Sequence, residues 1–234
     1  MATAKDIVVK PIKSDIARNL VKKIHYSGKV VNSSSLHLGV FLNDRLEGVM
    51  SFGAPMVKRN VHSLVRDTKW NGMLELNRMA FSDALPRNSE SRALSIAFKL
   101  IKKHYPHIEW ILSFADGTQC GDGTIYRASG FYLTQIAKNK ALIEFPDGTR
   151  ITSLTLTAHG NNPQVADLCR RLGVEHRIRS IKEWYQLGGK PLDGYQLRYI
   201  YFLNKDAKER LTCPILPFSD LDKCGARMYK GQKL

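Results

Sequence analysis

The sequence has no long apolar run. Hydrophobic residues make up 43% of its 234 residues, but charged and polar residues interrupt every stretch long enough to span a bilayer. The first six residues, Met-Ala-Thr-Ala-Lys-Asp, also lack the apolar segment of a secretion signal. We therefore expect no membrane partner, and we expect the protein to stay in the cytoplasm of the cell that makes it.

Cysteine is scarce and scattered. Cys120, Cys169, Cys213 and Cys224 form no Cys-x-x-Cys pair, and no histidine lies near the last two. This spacing disfavours a structural zinc site and a disulfide framework. We interpret the four side chains as reduced thiols.

Acidic residues are few. The chain has 21 Asp and Glu against 36 Lys and Arg, which leaves a net charge of +15. A domain this basic usually contacts a polyanion. Charge alone does not choose among DNA, RNA and anionic lipid.

Repeats and low-complexity linkers are absent, and the length suits one large domain or a core with an insertion. Strand and helix patterns alternate through the first part of the chain, which predicts a mixed α/β fold. Two predicted helices, Pro163–Leu172 and Ile178–Leu187, then interrupt the strands. We predict a core at 1–156, an inserted basic helical segment at 157–194, and a final core strand with a basic tail at 195–234.

The predicted core contains several strands. Leu36–Leu42 and Leu46–Phe52 flank Asn43-Asp44-Arg45, which predicts a hairpin. Met73–Phe81 and Ile108–Ala115 are the next two strands. Ala141–Phe145 is predicted as a later strand of the core.

The segment Gly123–Phe131 reads Gly-Thr-Ile-Tyr-Arg-Ala-Ser-Gly-Phe. It is similar to the x-x-Leu-Tyr-x-x-x-Gly-Phe segment of the GNAT acyltransferases. The predicted order of strand, helix, three strands, helix, strand, helix and strand also resembles the GNAT fold. The resemblance implies a mixed, mostly antiparallel central sheet flanked by helices, here with an inserted helical pair. It implies that Tyr126 protonates the leaving group; a packed aromatic side chain is the alternative.

Four further segments strongly resemble the Mom family of bacteriophage DNA-modification proteins: His25–Gly28, Leu74–Asp83, Pro86–Arg92 and Phe114–Gly123. The resemblance implies a transferase that converts adenine in phage DNA to N6-carbamoylmethyladenine, which protects the DNA from host restriction. It implies double-stranded DNA as a partner and the cytoplasm of the bacterial host as the location. Because adenine N6 lies within a base pair, we also expect the target base to be flipped out.

Asp116 directly follows a predicted strand and precedes Gly117, Gly121 and Gly123. Ligands of α/β sheets bind beyond the carboxyl ends of strands, and glycines allow close approach of the backbone. We predict that Asp116 positions a substrate amine or acts as a base. An Asx turn or a helix cap is the alternative.

Alternate side chains of a strand share a face, so Glu75 and Asn77 are expected on one face and Leu76 and Arg78 on the other. Glu75 is a candidate general base, and Asn77 is a candidate site residue beside it. A structural pair with a nearby Arg or Lys is the alternative.

His25 and Tyr26 end the first predicted helix, a region that borders the acceptor in GNAT folds. Histidine can shuttle a proton, and tyrosine can stack on an extruded base or donate a hydrogen bond. A histidine that interacts with the helix dipole is the alternative. His25 and Asp116 are also weak candidates for an iron site, so the metal stays unknown.

The stretch from Arg87 to Arg92 stands where GNAT acetyltransferases hold coenzyme A with a glycine-rich turn. It contains no glycine, and Glu90 adds a negative charge. A helix N-terminus with two arginines still suits a phosphate. The candidate donor-binding residues are Arg87, Asn88, Ser89, Ser91 and Arg92. Simple N-capping by Asn88 is the alternative.

Basic residues crowd the inserted helical pair beside Trp184 and Tyr185. Such a cluster suits DNA phosphates and aromatic stacking, and a solvated helix face is the alternative. The candidate DNA-binding residues are Arg170, Arg171, Arg177, Arg179 and Lys182.

The sequence does not decide which molecule donates the transferred group. A carbamoylmethyl group has the atoms of a glycyl unit, so glycyl-tRNA is favoured, which makes tRNA a possible second partner. Acetyl-CoA and iron-dependent chemistry are its rivals. Two other functions are also open: a GNAT N-acetyltransferase that acts on a protein or small amine, and a non-catalytic DNA-binding protein. The oligomeric state is not predicted.

Overall fold

The computed structural model describes residues 2–158, 162–229 and 232–233. The strands are β1 (Val8–Pro11), β2 (Ser34–Leu42), β3 (Arg45–Gly53), β4 (Met73–Phe81), β5 (Trp110–Gly117), β6 (Tyr132–Lys138), β7 (Leu142–Glu144), β8 (Arg150–Thr152), β9 (Lys190–Pro191), β10 (Tyr195–Phe202), β11 (Met228–Tyr229) and β12 (Gln232–Lys233). The helices are α1 (Ser14–Ile24), α2 (Lys58–His62), α3 (Ser89–His104), α4 (Thr124–Ala128), α5 (Ser153–Thr157), α6 (Pro163–Leu172), α7 (Ile181–Gln186) and α8 (Ser219–Lys223). None of the helices in these ranges has the length and apolar character needed to cross a bilayer.

Seven strands form the main sheet in the order β1-β2-β3-β4-β5-β10-β6. All neighbouring strands are antiparallel except β4 and β5, which run parallel. Val49 packs with α1, whereas its neighbour Met50 belongs to the core cluster that contains α3. Because adjacent residues of a strand face opposite ways, α1 and α3 cover opposite faces of the sheet. The predicted fold class, a mixed and mostly antiparallel sheet flanked by helices, is confirmed.

The predicted hairpin is present as β2 and β3. Asn43 and Asp44 have φ angles of 49° and 59°. A two-residue type I′ turn requires such left-handed backbone at both positions, and Asn and Asp adopt it more readily than most residues. Arg45, which was expected in the turn, is the first residue of β3.

A smaller unit lies between β6 and β10. Its strands form a separate sheet in the order β8-β7-β9. With α5, α6 and α7 this sheet buries a cluster of its own, which includes Ile143, Leu168 and Trp184. The two predicted helices are therefore present, α6 with the predicted bounds.

The strand expected at Ala141–Phe145 corresponds to β7, so it joins the small unit and not the main sheet. The boundary expected after residue 156 falls inside α5. The buried Asn139 side chain donates to the carbonyl oxygens of Leu142 and Leu192 at 2.9 and 2.8 Å, which ties the two ends of the unit together. We therefore propose that the insertion begins near Asn139.

The parallel strands β4 and β5 separate soon after they meet. Their pairing covers three residues, from Met73 with Trp110 to Glu75 with Leu112. Beyond these pairs, β4 continues to Phe81 and β5 to Gly117. The sheet therefore opens at the carboxyl ends of two parallel strands, the edge at which ligands of α/β sheets bind.

The C-terminal segment lies against the loop that follows β5. Arg227 Nε lies 2.7 Å from Asp122 Oδ2, and the Asp122 backbone amide donates to the Met228 carbonyl at 3.1 Å. The Tyr195 hydroxyl donates to the Cys224 carbonyl at 2.6 Å. These contacts hold the loop 117–123, which directly follows Asp116.

Candidate active site

The Asp116 carboxylate accepts hydrogen bonds from neutral groups in three parts of the chain. Gln119 and Gln196 donate their side-chain amides at 3.0 and 2.9 Å. Thr118 donates its backbone amide at 3.0 Å and also its hydroxyl. The Tyr26 hydroxyl lies 3.5 Å from Oδ2. Asp116 thus forms the Asx turn that was the alternative and, in addition, reaches the predicted site residue at the end of α1.

His25 follows α1 with an extended backbone, and its side chain folds back over the next residues. Its Nδ1 accepts the backbone amide of Ser27 at 3.1 Å, so in the neutral ring the proton lies on Nε2. Burial, with a smaller contribution from the Arg78 charge, lowers the pKa of His25 to about 4. The imidazole is therefore neutral near pH 7 and does not act as the charged partner of the helix dipole.

Tyr26 presents a half-exposed ring and a hydroxyl that turns toward the sheet. The residue is 53% exposed, and its ring centroid lies 4.4 Å from that of His25. Burial of the phenol, followed by the Asp116 carboxylate, raises the pKa of Tyr26. The hydroxyl therefore stays protonated and is available as a hydrogen-bond donor.

A β-bulge in β4 changes the predicted distribution of side chains. Arg78 pairs with Ser51, but Leu76 pairs with the very next residue, Phe52, so Asn77 is an extra residue. The expectation that Arg78 shares a face with Leu76 is therefore wrong. Leu76 packs in the core cluster with α3, whereas Ala80, two residues after Arg78, packs with α1.

The bulge brings Glu75, Asn77 and Arg78 together. Burial raises the pKa of Glu75, and a hydrogen bond from Asn77 and the charge of Arg78 partly offset this effect. Arg78 donates to the carbonyl oxygens of Lys29 and Asn77 at 2.8 and 2.7 Å. Arg78 therefore links β4 to the loop that carries Tyr26.

Tyr126 lies on α4, on the other side of the opening. Its ring packs 5.1 Å from that of Phe131 and 5.2 Å from that of Tyr199, so the side chain is packed among aromatic rings whatever its chemical role. Burial raises the pKa of Tyr126, and a hydrogen bond with Ser113 partly offsets it. The charge of Glu75 also raises this pKa, which places the phenol near the candidate base as well.

Sequence reasoning missed two residues of this site. Arg78 was assigned to the wrong face, and Cys120 was interpreted only as a reduced thiol. Burial and the Asp116 carboxylate raise the pKa of Cys120, and its charge in turn acts on Tyr26 and Tyr126. Both residues lie inside segments that resemble the Mom family, and this resemblance is the sequence signal that could have identified them as site residues.

The predicted donor-binding residues are only partly brought together. Asn88, Ser91 and Arg92 line a cleft of about 460 Å³ with Lys5, whereas the exposed Arg87 does not line it. Ser89 is fully buried, so its prediction as a donor contact is wrong.

Asn88 has a φ of 69° and makes no capping hydrogen bond with its side chain. The expected alternative, capping by Asn88, is therefore wrong as well. The Ser89 amide donates to the Pro86 carbonyl at 3.1 Å, so only the next two amides of the first turn, those of Glu90 and Ser91, are available to an anion.

The predicted DNA-binding cluster divides into buried and ion-paired side chains. Arg179 is 6% exposed, donates to the carbonyls of Glu175 and Arg177 and packs over the Trp184 ring, so it does not reach DNA. Trp184 is fully buried and donates to the Leu156 carbonyl at 3.0 Å, which excludes it as a stacking platform.

The exposed arginines of the cluster have acidic partners. Arg170 pairs with Asp167 at 2.5 Å, Arg171 pairs with Asp147 and Asp167, and Arg177 pairs with Glu183 at 2.6 Å. Lys182 forms no ion pair within the described residues. The positive charge of this unit is therefore largely balanced within the protein.

The candidate iron ligands do not gather a third ligand. Within the described ranges, no group of three or more His, Cys, Asp and Glu side chains is arranged to hold a metal. Tyr26 contacts both residues: its ring packs against the His25 ring, and its hydroxyl faces the Asp116 carboxylate.

Apart from the short α2, the order of elements from β1 to β6 is the one that the GNAT resemblance implied, and the opening between β4 and β5 carries the predicted polar side chains. These features define a protein with a GNAT-like fold. The chain belongs to the Mom protein family, whose model matches residues 6–220. It is 36% identical over 210 residues to the methylcarbamoylase Mom of Escherichia phage Mu, covering 89% of this chain and 80% of that protein.

Solved structures with a similar fold include two bacterial acetyltransferases. One is the ribosomal-protein-S18-alanine N-acetyltransferase of Escherichia coli, with a TM-score of 0.45 at 8% identity over 85% of this chain and 94% of that one. The other is the IAA acetyltransferase of Bacillus cereus, with a TM-score of 0.45 at 11% identity over 84% and 99% of the two chains.

Proposed function

We propose that this protein converts adenine in phage DNA to N6-carbamoylmethyladenine, and so protects that DNA from host restriction. The 36% identical relative of phage Mu is named a methylcarbamoylase. The observation that carries the proposal is the contact of Tyr26 with Asp116 at the opening between β4 and β5, beside Glu75 and Tyr126.

We assign a role to each side chain. Glu75 takes the proton from the attacking amine, since burial raises its pKa and so makes the carboxylate a stronger base. Tyr26 stays protonated, and its single O–H turns from the distant Asp116 oxygen to the purine ring as negative charge develops there. Asp116 and neutral His25 hold Tyr26 in place, and Tyr126 donates to the leaving oxygen.

The duplex must release its adenine to this site. N6 lies in a base pair, so the base has to leave the stack before it can react. The half-exposed Tyr26 ring offers a surface on which an extruded base can stack. Asn77 is only 7% exposed and accepts the Ser34 hydroxyl at 3.1 Å, so we assign it the support of Glu75 and not a contact with the base.

We propose glycyl-tRNA as the donor, in two steps that require no oxidant or reductant. First, N6 attacks the glycyl ester carbonyl; a C–N bond forms, the ester C–O bond breaks, and the tRNA hydroxyl leaves with a proton. Second, the glycyl amine attacks purine C6 through a five-membered ring. The original C6–N6 bond breaks, and the proton lost by the glycyl amine goes to the departing nitrogen, which becomes the terminal amide NH2. The glycyl nitrogen is now the one bonded to C6, and the product carries -NH-CH2-CO-NH2 at that carbon.

The cleft at the start of α3 fits the phosphate of such a donor. Arg92 and Lys5 supply positive charge, and the Glu90 and Ser91 amides in the first turn of α3 are available to an anion. Coenzyme A and the backbone of tRNA both present phosphates of this kind. The absence of a glycine turn in Arg87–Arg92 favours tRNA, and acetyl-CoA is the rival.

The test is chemical analysis of DNA from cells that express the protein. The DNA is digested to nucleosides, which are separated and compared with standards of N6-carbamoylmethyladenine and its isomer N6-glycyladenine. The carbamoylmethyl nucleoside is expected in cells that express the protein and not in cells with an empty vector. Unmodified adenine in both would overturn the proposal.

A further inference from the structure

Residues 54–72 connect β3 to β4 and form an arm, here called the β3–β4 arm, that exposes large apolar side chains. Met56 is 72% exposed, Val57 is 55% exposed and Trp70 is 59% exposed. Single exposed apolar residues are ordinary on protein surfaces. Three on one short connection require an explanation.

The arm is built on the core and presents these side chains from a fixed base. Val65 is 1% exposed and pairs with Leu211 in an isolated β-bridge. The Trp110 indole donates to the Thr68 hydroxyl at 3.0 Å, and that hydroxyl donates to the Val65 carbonyl at 2.8 Å. The exposure of the apolar side chains is therefore a property of a packed structure.

The arm also carries unbalanced positive charge. It has four cations, Lys58, Arg59, Arg66 and Lys69, against a single acidic residue, Asp67. Within the described ranges none of the four forms an ion pair, in contrast to Arg170, Arg171 and Arg177 of the small unit. Lys58 Nζ lies 4.6 Å from the centre of the Trp70 ring, so charge and apolar surface are continuous.

The arm starts beside the candidate active site. Gly53 pairs with Glu75 across β3 and β4, and Met56 follows three residues later. An extended chain spans about 3.5 Å per residue, so the Met56 Cα lies within about 11 Å of the Gly53 Cα. The Ser33 hydroxyl donates to the Ala54 carbonyl at 2.8 Å, which joins the arm to the loop that carries Tyr26.

We propose that the β3–β4 arm docks on duplex DNA beside the target adenine, with its cations on the phosphates and Met56 and Val57 in the base stack. Proteins that unstack DNA insert apolar side chains, methionine among them, between base steps. An apolar side chain can fill the space that an extruded base leaves, and the arm that carries Met56 and Val57 begins directly after Gly53, the strand partner of Glu75. The proposal rests on the proposed function, because it takes adenine in a duplex as the substrate.

The first experiment measures how affinity for a short duplex falls with salt. The triple variant R59A/R66A/K69A is expected to reduce the slope of log Kd against log salt by about three units, roughly one for each lost phosphate contact. The matched control K99A/K102A/K103A removes three exposed cations from α3 and is expected to keep the wild-type slope. Equal slopes in the two variants would overturn the arm as the docking surface. Weaker binding of tRNA by the arm variant with unchanged duplex binding would assign the arm to RNA and overturn the proposal too.

The second experiment follows unstacking with a fluorescent adenine analogue in a duplex. Wild-type protein and the control L154A/I178A, whose replaced residues are 62% and 52% exposed on the small unit, are expected to raise the fluorescence. M56A/V57A is expected to show no rise in fluorescence on fully paired DNA. On DNA whose target adenine has no base opposite it, this variant is expected to modify adenine at the wild-type rate. Wild-type fluorescence in M56A/V57A would overturn the wedge.

The two proposals fail in different ways. If wild-type protein forms no modified adenine, the proposed function is wrong. Even then, the salt dependence of duplex affinity tests whether the arm binds DNA, and the fluorescence of the adenine analogue tests whether it unstacks DNA.

Discussion

The Tyr26 hydroxyl lies 3.5 Å from Asp116 Oδ2, although 90 positions separate the two residues in the chain. The contact joins the end of α1 to the end of β5 at the point where β4 and β5 separate. A protonated phenol and a carboxylate held by neutral donors thus meet at the mouth of the opening.

Replacement of either partner should abolish modification and leave the fold intact. Y26F keeps the ring and removes the donor, so we expect the rate of modification to fall about 100-fold or more. D116N and the truncations Y26A and D116A are expected to be inactive. Modified adenine is measured by mass spectrometry, with circular dichroism and duplex affinity as controls. Wild-type rates in both Y26F and D116N would show that the site is misplaced.

Glu75 should control the acid limb of the pH–rate profile. Its pKa is raised above the ordinary value, so the base gains activity only as pH rises through that higher pKa. E75Q is expected to lack this limb and to lose most of the rate. If the acid limb of the pH–rate profile is unchanged in E75Q, the base is another group.

The same shift affects stability. A carboxyl group with a raised pKa in the folded state contributes stability at low pH and loses it as pH rises through that pKa. E75Q should therefore melt at a higher temperature than wild type at neutral pH, and the difference should vanish in acid. Thermal melts across pH measure this directly.

His25 should titrate near pH 4 and weaken the fold in acid. Its pKa is about 4 in the folded protein against 6.5 when unperturbed, so its contribution to stability is lost as pH falls from about 6.5 toward 4. NMR titration of the ring measures the pKa, and H25Q should lose less stability than wild type over this range. Because Arg78 helps to lower the pKa, R78Q should raise it. An unchanged His25 pKa in R78Q would contradict this effect of the Arg78 charge.

Arg227 should stabilise the loop that follows Asp116. Its Asp122 partner has a side chain that is only 4% exposed and also accepts from Thr124 at the start of α4. R227A is expected to lower the free energy of unfolding by about 1–3 kcal/mol, because it leaves a buried carboxylate without its cation. The control K223A breaks a pair whose lysine is 70% exposed and should leave the free energy of unfolding nearly unchanged. Equal losses in the two variants, read from urea denaturation, would contradict this role.

The donor route is tested with isotopes. Purified protein is given target DNA and glycyl-tRNA that carries 15N-glycine. The rearrangement makes the glycyl nitrogen the atom bonded to purine C6, so the label should appear there and not in the terminal amide. Label in the amide, or no product, would rule out the route, and acetyl-CoA as the only supplied donor tests its rival.

Local sequence determined several parts of this protein. Asn43 and Asp44 adopt left-handed backbone that few other residues accept, so the hairpin between β2 and β3 was predictable. Asp116 and Tyr26 were identified because each ends a regular element, at a place where side chains meet ligands. Helix α6 begins at Pro163 after Asn162, whose side chain caps it, and ends at Leu172 before Gly173. These signals all lie within one segment of the chain.

The tertiary structure decided which of the candidate residues can act. The bulge at Asn77 depends on how β3 pairs with β4, and this one extra residue moves Arg78 to the face of the site. The charge of Arg171 is cancelled by Asp147, 24 positions away, and Arg179 is buried against Trp184. Burial, ion pairing and strand register are set by partners that are distant in the chain. Composition therefore indicated a basic protein, and the resemblance to the Mom family implied a transferase. Only the packed fold distinguishes its free cations from its structural ones.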